Sequence, residues 1–250
     1  MDLTRRVIVA LDFDTAEDAE AVVDRLGDAV QSYKIGLQLL TATGPSLVTA
    51  LAAAGKGVFL DLKLFEIPTS VAAAVRAAGR RGATMVTVHA SAGSSILRAA
   101  VRAAAEFPRL RVVALTVVTS LTDADLAEVG VAATTGEQTA RLALLARDAG
   151  CHGVVAAPHD AATLRGLLGP DPLIVTPGVT LPVHPAATDH ARPAHPADAF
   201  RAGASHVVIG RALTRAPDPA AVLAAIAEEL RISGGAVTRP AGRRTDSASR

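Results

Sequence analysis

The chain has 250 residues, half of them apolar, which suffices for one large hydrophobic core and allows one domain or two. Its 25 Lys and Arg residues nearly balance 24 Asp and Glu, so no overall field attracts nucleic acid or an acidic membrane surface. The single cysteine, Cys151, excludes an intrachain disulfide framework and a cysteine-rich zinc site. The first apolar run, residues 7–11, is too short for a signal sequence or a membrane span, so we expect a cytoplasmic protein.

Short β-branched runs alternate with longer, alanine-rich amphipathic stretches, a pattern typical of βα units and a parallel sheet. Eight strands are predicted, at residues 7–11, 32–35, 57–62, 85–89, 111–116, 153–156, 173–176 and 206–209. Eight helices are predicted, at residues 16–26, 45–54, 70–80, 94–107, 139–149, 160–168, 196–202 and 219–230. Turn or capping residues open several of these helices, and glycines close several.

Eight consecutive repeats leave no sequence for a second domain, which predicts a single-domain α/β protein, a (β/α)8 TIM barrel over residues 1–232. An open Rossmann sheet is the alternative, but no G-x-G-x-x-G motif follows the first strand. Residues 176–196 are predicted to form a loop of a length that is more often functional than structural. The Gly-, Ser- and Arg-rich tail, residues 233–250, is predicted to be disordered.

Charged residues stand at the predicted carboxyl ends of the first four strands, where a barrel of this type builds its active site. They are Asp12, Lys34, Asp61, Lys63, Glu66 and His89. The D-x-K spacing places Asp61 and Lys63 on the same side of an extended chain, and Lys34 on the neighbouring strand can reach the same space.

Alternating ammonium and carboxylate groups in a confined pocket suit a reaction that develops negative charge on carbon. A carboxylate of the protein beside the substrate's own departing carboxylate disfavours the ground state. An adjacent lysine stabilises the carbanion and then protonates it. Structural ion pairs at the rim of the sheet are the alternative interpretation.

A second group of residues follows the last two predicted strands. Gly178 lies after the seventh strand, and Gly210 and Arg211 lie after the eighth; many barrels bind phosphate with these two loops. Glycine lets backbone amides approach an anion, and Arg211 can bind phosphate bidentately. Turn glycines beside a surface arginine are the alternative. Together the two loops favour a phosphorylated small molecule as the substrate.

These motifs, in this order, resemble the bacterial orotidine 5′-phosphate decarboxylase family, within its superfamily of phosphate-binding barrels, over residues 7–230. The resemblance rests on Ala10-Leu-Asp12, Tyr33-Lys34-Ile-Gly36, Asp61-Leu-Lys63-Leu-Phe-Glu66-Ile-Pro68, Thr87-Val-His89-Ala-Ser91, Val118-Thr-Ser120, Thr176-Pro-Gly178 and Val208-Ile-Gly210-Arg211. It implies decarboxylation of orotidine 5′-monophosphate to uridine 5′-monophosphate, in pyrimidine nucleotide biosynthesis, without a metal or an organic cofactor.

The resemblance also implies roles for the matched residues. The catalytic group would be Lys34, Asp61, Lys63 and Glu66. Lys34 and Asp61 would orient Lys63, and Lys63 would protonate carbon 6 of the pyrimidine as carbon dioxide leaves. Asp12 and Lys34 would hold the ribose hydroxyls.

Further residues would bind the substrate or complete the site of a second subunit. Ser120 would contact the base, while Gly178, Gly210 and Arg211 would bind the 5′-phosphate. The family forms homodimers in which the acid at position 66 and the hydroxyl at position 70 enter the partner's active site. Ile67 and Ser70 are therefore placed among the substrate-binding residues, together with His190 of the long loop.

The sequence departs from the family pattern at the second acid and in the phosphate loop. D-x-K-x-x-D ends in Glu66, one methylene longer than aspartate, and I-P-N-T reads Ile67-Pro68-Thr69-Ser70. Thr180 replaces an arginine, and His190 replaces the glutamine that bridges phosphate and base.

Three interpretations stay open. They are tolerated drift in a working decarboxylase, a changed substrate such as another nucleotide or a phosphorylated ketose, and a silent nucleotide-binding protein. The retained cluster of charged residues argues against simple decay, since clustered charges are costly to keep.

Overall fold

A computed structural model describes residues 5–179 and 194–234, and it shows a closed barrel of eight parallel strands. The strands are β1 (Val7–Ala10), β2 (Ser32–Gly36), β3 (Gly57–Leu64), β4 (Met85–His89), β5 (Arg111–Leu115), β6 (Gly153–Val155), β7 (Leu173–Thr176) and β8 (His206–Ile209). Each strand pairs with the next, and β8 closes on β1 with Ile8 opposite Val208. The predicted (β/α)8 barrel is confirmed.

Helices surround the barrel and return the chain to the amino end of each following strand. They are α1 (Ala16–Leu26), α2 (Leu37–Thr43), α3 (Ser46–Ala53), α4 (Pro68–Arg80), α5 (Ser94–Ala104), α6 (Asp123–Glu128), α7 (Thr135–Asp148), α8 (Ala161–Leu168), α9 (Pro196–Arg201), α10 (Arg211–Thr214) and α11 (Pro219–Gly234). Within the described ranges, none of these helices is both long enough and apolar enough to cross a membrane.

Side chains alternate along each strand between the inside of the barrel and the surrounding helices, as the pleat requires. The inside is filled by a buried cluster of Ile8, Ala10, Phe59, Met85, Val113, Leu115, Val155, Val175 and Val208. Their neighbours on the same strands, such as Val7, Val9 and Val112, belong to a second buried cluster beneath the helices. Burial on both faces explains why the strands read as continuous apolar runs.

The predicted strands agree with the observed ones to within two residues, whereas the helices differ more. The sequence pattern does not predict α2, α6 or α10, because four to seven residues are too few to show a helical apolar period. A capping box formed by Thr134 and Glu137 starts α7 at Thr135, four residues before its predicted start. Helix α11 continues to Gly234, past the predicted start of the tail, and residues 235–250 lie outside the described residues.

His206 is the first residue of β8, and its imidazole lies in surroundings that disfavour its charged form. Its Nδ1 atom is buried and has no hydrogen-bond partner among the described residues. Burial, and secondarily the positive charge of Arg6, lowers the pKa of His206 from 6.5 to about 4. The folded protein therefore holds this imidazole neutral.

We expect the stability of the barrel to fall with acid partly because of His206. In the unfolded chain this residue takes up a proton near its ordinary pKa of 6.5, while the folded chain resists protonation until about pH 4. Its contribution is full above pH 6.5 and is lost as the pH falls towards 4, by up to about 3 kcal/mol. Urea unfolding at pH values between 7 and 4 measures the loss.

A His206→Gln variant is the control, because it keeps every carboxylate that also responds to acid. Its free energy of unfolding should fall less steeply with pH than that of the parent. Parallel curves for the two proteins would contradict the prediction.

Candidate active site

Four charged side chains alternate in sign at the carboxyl ends of β1, β2 and β3. Lys34 Nζ lies 2.9 Å from Asp12 Oδ1 and 3.8 Å from Asp61 Oδ2. Lys63 Nζ lies 2.9 Å from Asp61 Oδ2. We call Asp12, Lys34, Asp61 and Lys63 the charged array. The structure brings these sequence-predicted residues together because the closed barrel sets their strands side by side.

Exposure differs along the charged array. The side chains of Lys34 and Asp61 are 12% and 13% exposed, against 36% for Lys63 and 44% for Asp12. Lys34 is held between two carboxylates, whereas Lys63 is paired with one and is the more open to solvent. Lys63 is therefore the ammonium group better placed to transfer a proton to a bound molecule.

Thr87, in the middle of β4, links the carboxylate and the backbone of this site. Its hydroxyl donates to Asp61 Oδ1 at 3.1 Å and accepts from the backbone N–H of Lys63 at 2.7 Å. The residue is fully buried. Thr87 is not among the predicted site residues. Its position two residues before His89, on the inward-facing row of β4, is the signal that could have placed it in the site.

The backbone of Lys63 departs from a regular strand. Its φ is 50°, which makes it the sole non-glycine residue with positive φ in the described part of the chain. The pairing of β3 with β4 also shifts register between Leu60 and Leu64. Simple strand alternation therefore does not explain how Lys63 meets Asp61; a local distortion, held by the bond to Thr87, brings them together.

Gly36, the last residue of β2, leaves room for the pair formed by Lys34 and Asp12. A Cβ atom at this position would lie 3.1 Å from Lys34 Nζ and 3.4 Å from Asp12 Oδ1. Any side chain here would press on the ammonium group. Gly36 is therefore required for the close approach of the Lys34 ammonium group to the backbone, and not for an unusual turn.

His89 ends β4 near the charged array without adding charge to it. Burial, and secondarily the positive charge of Lys63, lowers the pKa of His89 below its usual 6.5. The Phe65 ring lies 5.7 Å from the imidazole, centroid to centroid. At neutral pH the array is therefore balanced between two lysines and two carboxylates.

The segment after β3 is exposed and adds no side chain to the charged array of its own chain among the described residues. Glu66 accepts a hydrogen bond of 2.6 Å from the next backbone N–H, that of Ile67, and forms no ion pair with the described residues. Phe65 and Ile67 are 63% and 59% exposed, and Ser70 on α4 is also exposed. Of the four predicted catalytic residues, Glu66 is the one that the chain does not bring to the site by itself.

The remaining predicted substrate-binding residues lie around the same end of the barrel. Ser120 is exposed in a turn after β5. Gly178, with φ 79°, and Gly210 follow the paired strands β7 and β8, and a Cβ atom on Gly210 would lie 3.9 Å from Asp12 Oδ2. Arg211 opens α10 and is exposed.

The long loop after β7 is bracketed by a bridge between Val179 and Ala194. The predicted substrate-binding residue His190 and the departure at Thr180 lie between them, outside the described residues. Among the residues that are described, no group of three or more His, Cys, Asp or Glu is arranged to hold a metal ion.

A closed parallel barrel with a lysine–carboxylate array at the carboxyl ends of its strands defines the class of (β/α)8-barrel enzymes. A family model described as "Orotidine 5'-phosphate decarboxylase / HUMPS family" matches residues 5–226. The chain belongs to this family.

Named relatives and solved structures agree with the family model. The chain is 47% identical over 230 residues to an orotidine 5′-phosphate decarboxylase of Anaeromyxobacter sp. (strain K), covering 92% of this chain and 100% of the relative. It is 47% identical over 218 residues to one of Caulobacter vibrioides (strain NA1000 / CB15N), covering 86% and 92%. The crystal structure of the enzyme of that name from Lactobacillus acidophilus matches with a TM-score of 0.80 and 34% identity, over 90% of this chain and 99% of that one.

Proposed function

We propose that this chain catalyses the decarboxylation of orotidine 5′-monophosphate to uridine 5′-monophosphate and carbon dioxide, in pyrimidine biosynthesis. The observation that carries the proposal is the pairing of Lys63 with the largely buried Asp61, 13% exposed, at the carboxyl end of β3. The relatives that are 46–47% identical bear the name of this enzyme. We also propose a cytoplasmic location, which a single unpaired cysteine supports.

The charged array supports a direct mechanism. The substrate's carboxylate lies against Asp61, where two negative charges repel each other in a site of low solvent access. The bond from carbon 6 to the carboxylate breaks, and its electron pair stays on carbon 6. Lys63 stabilises this charge and transfers a proton from Nζ to carbon 6, which completes uridine 5′-monophosphate. Lys63 then regains a proton from solvent.

The other residues of the site hold the substrate in place. We propose that Asp12 and Lys34 bind the ribose hydroxyls, since their 2.9 Å ion pair lies between β1 and β2 and Asp12 is exposed. Ser120 contacts the base. Gly178, Gly210 and Arg211 bind the phosphate with backbone amides and a guanidinium group. We propose that His190, which lies outside the described residues, also takes part in binding the phosphate and the base.

Replacing Lys63 tests the proposal directly. Lys63→Ala should lower kcat/KM for orotidine 5′-monophosphate by at least about a thousandfold, because the proton donor is lost. Loss of orotidylate absorbance measures turnover, and a chelator should leave the parent's rate unchanged. Lys56→Met is the matched control, since Lys56 binds the carbonyl oxygens of Gly27 and Val30 far from the site.

Two results would count against the proposed reaction. A parent protein without turnover at high concentration would leave only nucleotide binding. A rate abolished by a chelator would point to a metal-dependent lyase or aldolase on another phosphorylated substrate.

Thr87 is proposed as a positioning residue, because it fixes both Asp61 and the backbone of Lys63. Thr87→Val keeps the shape but removes a hydrogen bond to a charged group, worth about 1.5–3 kcal/mol. We expect kcat to fall about 10- to 100-fold with little change in KM, and Thr87→Ser to restore most of it. Steady-state kinetics of the three proteins measures this split.

Thr116→Val is the control for general destabilisation. Thr116 is equally buried, but its hydroxyl donates to the carbonyl oxygen of Val155 on the outer side of the sheet. Its loss should reduce stability and spare kcat. If Thr87→Val and Thr116→Val lowered kcat equally, the proposed positioning role of Thr87 would be wrong.

We propose that the chain works as a homodimer with shared active sites. Apolar side chains are exposed beside the carboxyl ends of β2 and β3: Leu37 at 56%, Phe65 at 63% and Ile67 at 59%. Exposed apolar patches next to a site mark protein contacts. Glu66 lies between Phe65 and Ile67 in the chain and accepts a hydrogen bond only from the backbone N–H of Ile67 among the described residues. We propose that it completes the charged array of a second subunit.

Mixing two inactive variants tests the shared site. Lys63→Ala and Glu66→Gln should each be nearly inactive, and a dimer of one with the other contains one site with both native residues. After random exchange of subunits, activity should return to about a quarter of the parent's value, since about half of the dimers are mixed. Turnover of the mixture, compared with the sum of the separate variants, measures the return. A mixture no more active than that sum, despite proven exchange, would show that Glu66 does not serve the partner.

A further inference from the structure

A cavity of about 220 Å³ opens at the amino ends of the strands, the opposite end of the barrel from the charged array. Its floor is apolar and is formed by Ile8, Phe59, Met85 and Leu173. Its rim is polar and is formed by Ser32, Thr84, Arg109, Arg111 and His206. Every strand except β6 has a residue at this cavity or next to it, so the scaffold of the barrel itself shapes it.

The rim of the cavity is positively charged and lacks acidic groups. The backbone N–H of Arg111 donates to Thr84 within the sheet, but neither the Arg109 nor the Arg111 side chain forms a hydrogen bond or an ion pair with another described residue. None of the described residues that line the cavity is an Asp or a Glu. The adjacent Arg6 is committed to the carbonyl oxygens of Ala204 and Ser205. Two exposed arginines without carboxylate partners beside one concave surface have the charge and the geometry to attract an anion.

His206 provides the second observation. Its Nδ1 atom is buried, lacks a hydrogen-bond partner among the described residues, and belongs to a residue that lines the cavity. Buried polar atoms in folded proteins are nearly always paired with protein, water or a ligand. The Ser32 side chain also has no hydrogen bond within the described part of the chain, so the rim offers several polar groups that the protein leaves unpaired.

We propose that this cavity binds a small oxyanion, a phosphate or a dicarboxylate, held by Arg109 and Arg111 and contacting His206. The volume is below the roughly 300–1,000 Å³ of sites for larger ligands, which limits the occupant to a few non-hydrogen atoms. Planar guanidinium groups match the oxygens of phosphate and carboxylate bidentately. The site is separate from the one proposed for the nucleotide, which lies at the other end of the strands.

Equilibrium dialysis with labelled inorganic phosphate tests the proposal, with saturating uridine 5′-monophosphate present to occupy the catalytic end. The parent should bind one phosphate per chain under these conditions. Arg109→Gln with Arg111→Gln should weaken this binding more than tenfold. Arg80→Gln with Arg102→Gln is the matched control, because it removes the same charge from exposed positions on α4 and α5.

The comparison of the two double variants holds even if the nucleotide does not bind, so its failure is distinct from failure of the proposed function. Malonate as a competitor separates the two sources: displacement of phosphate indicates a general dianion site, and no displacement indicates a phosphoryl site. Equal phosphate binding by both double variants would overturn the proposal, as would the absence of any site for phosphate and for malonate in the parent.

A second readout follows from the imidazole. A bound anion favours the protonated form, so phosphate should raise the pKa of His206 from about 4. An NMR titration of the imidazole with and without phosphate would measure this rise. The shift should be absent in the Arg109→Gln, Arg111→Gln protein. An unchanged titration at phosphate concentrations that saturate the parent would place the anion elsewhere.

Discussion

The carboxylate of Asp61 contacts two ammonium groups and one hydroxyl group, and the geometry of the candidate site depends on these three contacts. Its Oδ2 atom lies 2.9 Å from Lys63 and 3.8 Å from Lys34, while Oδ1 accepts from Thr87. A buried carboxylate is tolerated only when such partners compensate for its lost hydration. These partners come from β2, β3 and β4, so the geometry of the site depends on the side-by-side pairing of these strands in the barrel. Loss of one partner leaves Asp61 with fewer compensating contacts in a position where its side chain is only 13% exposed.

The same inward-facing rows of side chains serve both ends of the barrel. On β2 the row runs from Ser32 at the cavity to Lys34 in the charged array, and on β3 it runs from Phe59 to Asp61. On these two strands, one period of two residues, about 6.6 Å, separates the group at the amino-end cavity from the group at the catalytic end. Apolar side chains of other strands, such as Ala10, Leu115 and Val175, fill the interior of the barrel around them.

The fold and the charged array could be predicted from sequence because both follow from short-range rules. Eight apolar runs with helical stretches between them fix the barrel, and parallel strands place Lys34 and Asp61 at one edge. The positive φ of Lys63 could not be predicted, because the distortion arises from packing against Thr87 on another strand. The cavity at the amino ends of the strands could not be predicted either, because the residues of its rim come from separate segments that share no sequence motif. The spacing of residues in the sequence thus predicts at which strand end a residue lies. It does not predict which residue of a neighbouring strand fixes its backbone conformation.

Glu66 shows how a departure from the family pattern can be compatible with function. An extra methylene lowers activity most where several partners fix a carboxylate, as Lys34, Lys63 and Thr87 fix Asp61. Glu66 is exposed and, among the described residues, is held only by the N–H of the following residue, so no described neighbour fixes its longer side chain. If it acts across a subunit boundary, the docking of two chains can absorb about 1 Å that a single rigid barrel cannot. The substitution thus falls on the one acid of the predicted catalytic group whose position the barrel does not determine.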